Sequence, residues 1–207
     1  MDTFAASISV VIVSDYAAGQ HGEWADLRTP LAALAAQDFQ EAAEFILCET
    51  EELRDRLPTD LNGILPDLKI MFARGNSSYE LKNAAVEAAS ADLIAMLDAD
   101  CVPRPDWLRR LLDSLRKHPE AAAVSGQTTY GGKSLGVRIN SLLSRAYSDP
   151  GSDGPTRAVS DNNAGYQRSV FLQHPLATRM GGFATHVQAQ ELQRHGATAS
   201  DGSNCQW

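Results

Sequence analysis

The chain has 207 residues, of which 43% are hydrophobic, and it carries a formal net charge of −8 with a pI near 5.0. This length and apolar content are sufficient for one domain with a complete core. The acidic balance argues against a nucleic-acid-binding protein with a broad basic face, and it weakens the case for electrostatic attachment to an anionic membrane without excluding it.

The cysteines and the N-terminal sequence bear on the cellular compartment. Cys48, Cys101 and Cys205 are odd in number and far apart, and the sequence has no CxxC pair or Cys/His cluster typical of structural zinc. No signal peptide is evident, and no apolar run approaches the ~20 residues needed to span a bilayer. We therefore expect a cytoplasmic protein without a transmembrane segment, and peripheral contact with a membrane stays open.

Strands and helices alternate through the first 125 residues. Short β-branched runs predict the strands, and apolar residues at helical spacing predict the helices. In chain order we predict a strand at 8–13, a helix around 27–34, a strand at 44–48, a short helix at 51–57, a strand at 68–73, a helix after the Ser77–Glu80 capping box, a strand at 93–97 and a helix from Pro105 to Lys117. This alternation predicts an α/β fold with a mostly parallel sheet and helices on both faces.

The pattern is looser after residue 125. The sequence predicts a fifth strand at 121–125, a helix at 135–147 and a turn-rich loop over the site at 148–156. The last stretch, "ATASDGSNCQW", is short and polar and has no capping signal.

Polar side chains follow four of the predicted strands. In open α/β sheets, ligands bind outside the carboxyl ends of the strands. Each of these residues alone fits an ordinary solvated loop, but together they would meet at one edge of the sheet. They are Ser14 with Asp15, Glu49, Arg74, and Asp98 with Asp100.

The pair in "LIAMLDADCVP" has a clear chemical use. Asp98 and Asp100, one residue apart after a buried strand, can share one divalent cation, and Mg²⁺ and Mn²⁺ favour such oxygen ligands together with substrate phosphates. A cation would also relieve the repulsion between the two carboxylates. The alternative is a solvated acidic turn that caps the helix beginning near Pro105.

Several stretches carry a family resemblance. They are "SVVIVSDY", with Val13 where a proline is usual, "EFILCE", the long segment "ARGNSSYELKNAAVEAASADLIAMLDADCVPRPDWLRRLL", and "NNAGYQRSVFLQHP" followed by "GGF". Over roughly residues 7 to 196 the chain resembles the GT-A glycosyltransferases of family 2, inverting enzymes that use nucleotide-sugar donors. The resemblance implies a single Rossmann-like GT-A domain, with a nucleotide-binding half (1–125) and an acceptor-side half (126–207) that is shortened or truncated after Gly196.

The resemblance also implies roles for matching residues. It implies a Mn²⁺ or Mg²⁺ ion, a nucleotide-sugar donor (we expect a UDP-sugar) and a glycan or other hydroxyl acceptor, without nucleic acid. The implied donor-site residues are Ser14 and Glu49 at the nucleoside, Lys82 and Asn83 beside the base, Asp98 at the ribose and metal, and Asp100 on the metal.

The expected general base is missing. The family usually has an acidic pair before a Glu-Leu, whereas "QAQELQRHG" places Ala189 at the base position. Glu191, His186 and His195 are nearby candidates, and each also fits a surface role. A nucleotide-sugar-binding module without turnover is therefore a rival hypothesis. A nucleotidyltransferase is disfavoured, because "SDYAAGQHGEW" is acidic where a basic glycine-rich loop would be expected.

Two further features have alternative interpretations. Asn162 and Asn163 fit either a hydrogen bond to a sugar or phosphate or an Asx turn. Trp107 is predicted to pack its helix against the sheet.

Overall fold

The structure is a computed structural model that describes residues 6–14, 24–75, 77–129, 134–136, 139, 154–155, 159–195 and 197–206. Most of the predicted helix at 135–147 and of the predicted loop at 148–156 lies outside these ranges.

The described strands form one sheet. Its order is β3-β2-β1-β4-β8-β6-β9-β5, and β7 pairs with β9. The first four strands of this order are all parallel, and beyond β4 the sheet is mixed, since β8 runs antiparallel to both β4 and β6. The strands are β1 (Ile8–Val13), β2 (Ala43–Thr50), β3 (Lys69–Ala73), β4 (Leu93–Asp98), β5 (Val102–Pro103), β6 (Ala121–Thr129), β7 (Gly154–Pro155), β8 (Asn163–Gln167) and β9 (Ala197–Gln206).

Helices cover both faces of the sheet and bury two apolar clusters. Side chains of β1 alternate between them: Val10 faces one cluster and Val11 the other, as the pleat of a strand requires. The predicted α/β fold with helices on both faces is confirmed. The helices are α1 (Ala25–Ala35), α2 (Leu61–Ile64), α3 (Ser78–Ala88), α4 (Trp107–Lys117), α5 (Arg168–Gln173) and α6 (Ala184–His195), with 3-10 helices at Glu51–Arg56 and Thr178–Phe183.

Helix α3 begins at the predicted capping box. The Ser77 hydroxyl accepts a hydrogen bond from the Glu80 backbone N–H, and the Glu80 carboxylate accepts one from the Ser77 N–H at 3.2 Å. These reciprocal bonds satisfy backbone donors at the helix N-terminus, where intrahelical acceptors are lacking. The box therefore fixes where α3 begins beside the carboxyl edge of the sheet.

The last stretch is an interior strand of the sheet. β9 pairs parallel to β6 and antiparallel to β5. No strand is predicted here, because "ATASDGSNCQ" lacks β-branched runs and apolar alternation. The segment is a strand because its backbone is hydrogen-bonded to β6 on one side and to β5 on the other, not because its side chains favour a strand.

Trp107 packs α4 onto the sheet, as predicted, and its indole is also hydrogen-bonded. Trp107 Nε1–H donates to Asn163 Oδ1 at 2.8 Å, and Asn163 Nδ2 donates to the Gln127 carbonyl at 2.9 Å. Both side chains are fully buried. The Asn163 side chain therefore links Trp107 of α4 to the Gln127 backbone, and this structural tie leaves it no role as a sugar ligand.

Gly126 is needed for this tie, and we expect Gly126→Ala to destabilise the fold by about 2–3 kcal/mol. A Cβ at Gly126 would lie 2.4 Å from Asn163 Oδ1 and displace the indole's acceptor. Gly63→Ala is the control, because a Cβ at Gly63 meets nothing within 4 Å. Urea unfolding measures both variants, and equal stabilities would contradict the prediction.

Candidate active site

Three parallel strands end together at the carboxyl edge of the sheet. Val13 of β1 pairs with Cys48 of β2 on one side and with Asp98 of β4 on the other. Ser14 and Glu49 follow directly, and the Ser14 hydroxyl donates a hydrogen bond to Glu49 Oε1. The structure therefore places Ser14, Glu49 and Asp98 at one edge.

Glu49 is a buried carboxyl group at this edge. Its side chain is almost fully enclosed, and burial raises its pKa to about 7, although hydrogen bonds from the Ser14 hydroxyl and the Thr50 backbone oppose the shift. The protonated form is thus favoured in the fold relative to the unfolded chain. Its contribution to stability is present at low pH and is lost as the pH rises through about 7.

We expect Glu49→Gln to be more stable than the wild type at pH 8, by up to about 3 kcal/mol, with the difference shrinking toward pH 5. A glutamine can still accept the Ser14 hydrogen bond but never carries the buried charge. Urea unfolding at both pH values measures the effect. Glu52→Gln, on an exposed neighbour, is the control. A difference that does not change with pH would contradict the prediction.

Asp98 and Asp100 lie in a tight turn. The Asp98 carbonyl accepts from Cys101 N–H at 2.9 Å, and Ala99 N–H donates to the Val13 carbonyl at 2.9 Å, which ties the turn to β1. The Asp98 side chain is 25% exposed, whereas Asp100 lies on the surface. Both carboxylates therefore belong to one short, fixed turn.

A buried lysine neutralises part of this charge. Lys82 of α3 is 1% exposed, and its ammonium lies 2.7 Å from Asp98 Oδ1 and 2.7 Å from Asp161 Oδ2. The Lys82 ammonium also donates a hydrogen bond to Asp161 Oδ2. Asp98 Oδ1 is buried, and within the described ranges it accepts no hydrogen bond of good geometry. Its contact with Lys82 is therefore an ion pair without a hydrogen bond.

The charges at the edge do not cancel. Burial raises the pKa of Asp98, Lys82 lowers it, and Asp161 and Asp100 raise it again, for a net upward shift. Burial alone lowers the pKa of Lys82, but Asp161 and Asp98 bring it above its usual value, so the ammonium stays charged. Asp98 and Asp161 therefore share one ammonium, and Asp100 adds a further negative charge that acts on Asp98, so the group as a whole favours a second cation.

The chemistry of these groups fits a hard divalent cation. Carboxylate oxygens suit Mg²⁺ and Mn²⁺, which commonly bind one or two carboxylates plus substrate phosphates. Within the part of the chain that is described, no three His, Cys, Asp or Glu side chains converge to hold a metal by themselves. Asp98 and Asp100 could therefore hold such an ion only together with oxygens from a ligand or water.

Asn83 is committed to a structural contact. Its Nδ2 donates to the Leu176 carbonyl and its Oδ1 accepts from the Leu176 N–H, each at 3.0 Å. This pair of bonds ties α3 to the segment after α5. Although Asn83 neighbours Lys82 in sequence, its amide is directed toward Leu176 rather than toward Asp98.

Ala189, at the position where the general base is expected, is surrounded by apolar side chains. Ala189 of α6 is 1% exposed and packs in the cluster that includes Val86 and Leu192. Its neighbour Gln188 is buried too, where it donates to the His174 carbonyl at 2.8 Å and accepts from the Tyr166 hydroxyl at 3.4 Å.

The two titratable candidates on α6 lie nearer the surface. His186 is exposed and contacts Gln190 at 3.1 Å, and Glu191 is 44% exposed with its carboxylate 3.7 Å from His174 Nδ1. His186 thus contacts its own helix, and Glu191 contacts His174. The side chain of His195 lies outside the described residues.

The residue that sequence reasoning missed is Asp161. It lies 79 positions from Lys82 in the chain, in the turn before β8, and completes the buried ion cluster. Its only sequence signal is an acidic residue just before the Asn162-Asn163 pair. Asn162 itself is buried and accepts from the Ser160 hydroxyl at 2.5 Å, so it holds the turn.

Comparison with known proteins decides the family. The family model described as glycosyl transferase family 2 matches residues 20–174, which include α1 to α5 and the Asp98 turn. The chain belongs to glycosyltransferase family 2. The resemblance seen in its sequence motifs is thereby confirmed.

Relatives of this family-2 chain are longer than it is. It is 31% identical over 106 residues to a glucosyl-dolichyl phosphate glucuronosyltransferase of Haloferax volcanii, an alignment covering 44% of this chain and 33% of that protein. The chain therefore spans about a third of the length of this curated relative.

Solved structures share its fold at low identity. Residues 1–349 of S. aureus TarS superpose with a TM-score of 0.70 at 11% identity, covering 97% of this chain and 60% of that one. The Pyrobaculum calidifontis mannosyltransferase PcManGT, solved with GDP-Man and Mn²⁺, gives 0.64 at 17% identity, covering 99% and 57%. TarS has also been solved with UDP. The predicted GT-A fold is confirmed.

Helices long and apolar enough to cross a bilayer are absent from the described ranges.

Proposed function

We propose that this family-2 chain transfers a sugar from a nucleotide-sugar donor to an acceptor hydroxyl, with inversion at the anomeric carbon and with a divalent metal. The observation that carries the proposal is the Asp98–Asp100 turn. It lies at the carboxyl edge of the parallel strands, where its charge exceeds what Lys82 neutralises. A UDP-sugar is the donor we favour, in keeping with the UDP complex of TarS.

One half of the chain would bind the donor and the other the acceptor. Residues 1–125 would hold the donor, with Ser14 and Glu49 at the nucleoside and Asp98 and Asp100 at the metal. Lys82 would act through Asp98, and Asn83 would hold α3 against Leu176 rather than contact the base. Residues 126–207 would present the acceptor, a glycan or another hydroxyl compound. The metal, held by Asp98 and Asp100, would supply positive charge at the diphosphate that leaves.

The acceptor hydroxyl needs a group to take its proton. On α6 we propose Glu191 or His186 for this role, because both expose a titratable side chain and Ala189 cannot accept a proton. Glu191→Gln and His186→Gln would distinguish them, since loss of the base lowers kcat while donor binding is retained. We also propose a cytoplasmic location. In its support, Cys48 and Cys101 are buried and, within the described residues, form no disulfide.

The proposal is tested in two steps on the same preparation. Calorimetry with UDP and other nucleoside diphosphates, with and without Mn²⁺, measures donor binding. Incubation with the matching nucleotide sugars, with and without candidate hydroxyl acceptors, measures hydrolysis and transfer. Metal-dependent binding with transfer to an inverted product supports the proposal, and the absence of any nucleotide binding overturns it.

One observation favours a second candidate, a nucleotide-sugar-binding module without turnover. The usual acidic pair is replaced by Gln188, which is engaged in buried hydrogen bonds, and by Ala189, which is part of an apolar cluster. Metal-dependent UDP binding without hydrolysis or transfer on any acceptor would favour this candidate.

A further inference from the structure

Asp161 lies in a turn that is held from several sides. Asn163 N–H donates to the Ser160 carbonyl at 3.1 Å, and Ser160 N–H donates to the Ser125 hydroxyl at 3.0 Å. The Asn162 carbonyl accepts from the Asp98 N–H at 3.4 Å, so the turn also contacts the Asp98 turn directly. These hydrogen bonds fix the backbone of the turn, and the Asp161 carboxylate therefore lies beside the Asp98 turn of the proposed donor site.

Lys82 needs this second carboxylate. A fully buried ammonium is costly to desolvate unless paired and hydrogen-bonded, and here it is 2.7 Å from one oxygen of Asp98 and 2.7 Å from one of Asp161. Of the two, Asp161 has the aligned hydrogen bond. The two carboxylates thus share one positive charge.

We infer that Asp161 is a positioning residue of the donor site, which holds the Lys82 ammonium so that Asp98 remains available to a metal. The inference rests on the proposed function, because it assumes that Asp98 holds a cation together with a nucleoside diphosphate. Without the Asp161 charge, Lys82 would pair with Asp98 alone, and that carboxylate would carry little excess charge for the metal. Asp161 thereby couples the acceptor-side half to the donor site.

The same geometry disfavours Asp161 as the missing general base. Its carboxylate is 20% exposed, and its Oδ2 accepts a hydrogen bond from the buried Lys82 ammonium at 2.7 Å. A general base must present a carboxylate oxygen to the acceptor hydroxyl, whereas this oxygen is directed to Lys82. Asp161 is therefore expected to act through Lys82 rather than on the acceptor.

Asp161→Asn tests the inference by removing the charge while keeping the side-chain shape. We expect it to weaken Mn²⁺ binding in the presence of UDP by roughly tenfold or more, the size of effect seen when a ligand's supporting partner is lost. Asp161→Glu keeps the charge and should weaken Mn²⁺ binding by less than about threefold. Calorimetry gives both affinities, and a melting curve for each variant establishes that it is folded.

Two further measurements separate a positioning role from a structural one. Without metal, UDP binding to Asp161→Asn should be unchanged or tighter, because the diphosphate no longer meets that negative charge. Asp60→Asn is the matched control, since Asp60 pairs with Arg28 through two 2.8 Å bonds on the exposed surface and should leave Mn²⁺ affinity unchanged.

The outcomes are distinguishable. Wild-type Mn²⁺ affinity in folded Asp161→Asn, even with a lower melting temperature, would overturn the inference and leave the proposed function standing. Equal losses in Asp161→Asn and Asp161→Glu would also overturn it, since charge would then not matter. A wild-type protein that binds no Mn²⁺ with UDP would overturn both.

Discussion

Asp98→Ala is expected to lower Mn²⁺-dependent UDP affinity by roughly 100-fold or more, and transfer activity with it. The reason is the position of this carboxylate, which ends β4 beside Ser14. Its negative charge is only partly neutralised, because the Lys82 ammonium also pairs with Asp161. Removing it deletes a candidate metal ligand and leaves one carboxylate facing one ammonium in the buried cluster. Calorimetry with UDP and Mn²⁺ measures the loss.

The fold should survive this substitution, which makes the result interpretable. The Lys82–Asp161 pair remains, and the group removed is one whose charged form is disfavoured by burial. These two effects oppose the loss of one partner of Lys82, and we therefore expect a folded variant whose melting temperature at pH 8 is close to that of the wild type. Asp92→Ala, an exposed position one residue before the same strand, is the control. Unchanged Mn²⁺ affinity in Asp98→Ala would remove the basis for a metal at this turn.

The polar residues at the carboxyl edge of the parallel strands were largely predictable from sequence, because their signals are local. A β-branched run followed by a carboxylate identifies a strand end, and a capping box identifies where α3 begins. Parallel strands end at the same edge, so Ser14, Glu49 and Asp98 could be expected to converge before any coordinates were known. The structure confirms that convergence through the pairing of Val13 with Cys48 and Asp98.

The remaining features depend on contacts that no local pattern encodes. Asp161 meets Lys82 across 79 positions of sequence, and only the pairing of β8 with β4 brings its turn to that place. Strand β9 is polar and becomes a strand through backbone pairing with β6 and β5. Asn83 lies beside Lys82 in sequence, but its amide is directed toward Leu176 because neighbouring helix positions point about 100° apart.

Restoring an acid at the family's usual position is expected to damage the protein rather than activate it. Ala189 is 1% exposed and packs in the apolar cluster with Val86 and Leu192. A carboxylate at Ala189 would be buried without a cation partner among the side chains of that cluster, so Ala189→Asp should destabilise the fold by about 3–5 kcal/mol. Urea unfolding at pH 8 measures the loss, and at pH 5 the loss should be smaller because a protonated carboxyl is less costly to bury.

The neighbouring Gln190→Asp provides the matched control. Gln190 is exposed, so the same side chain there should change stability by less than about 0.5 kcal/mol. Ala189→Asp should not raise the transfer rate, because an acid buried among apolar side chains cannot reach an acceptor hydroxyl. If Ala189→Asp instead gained turnover at little cost in stability, this position would face the acceptor. The wild-type chain would then be better explained as a binding module that lacks its base.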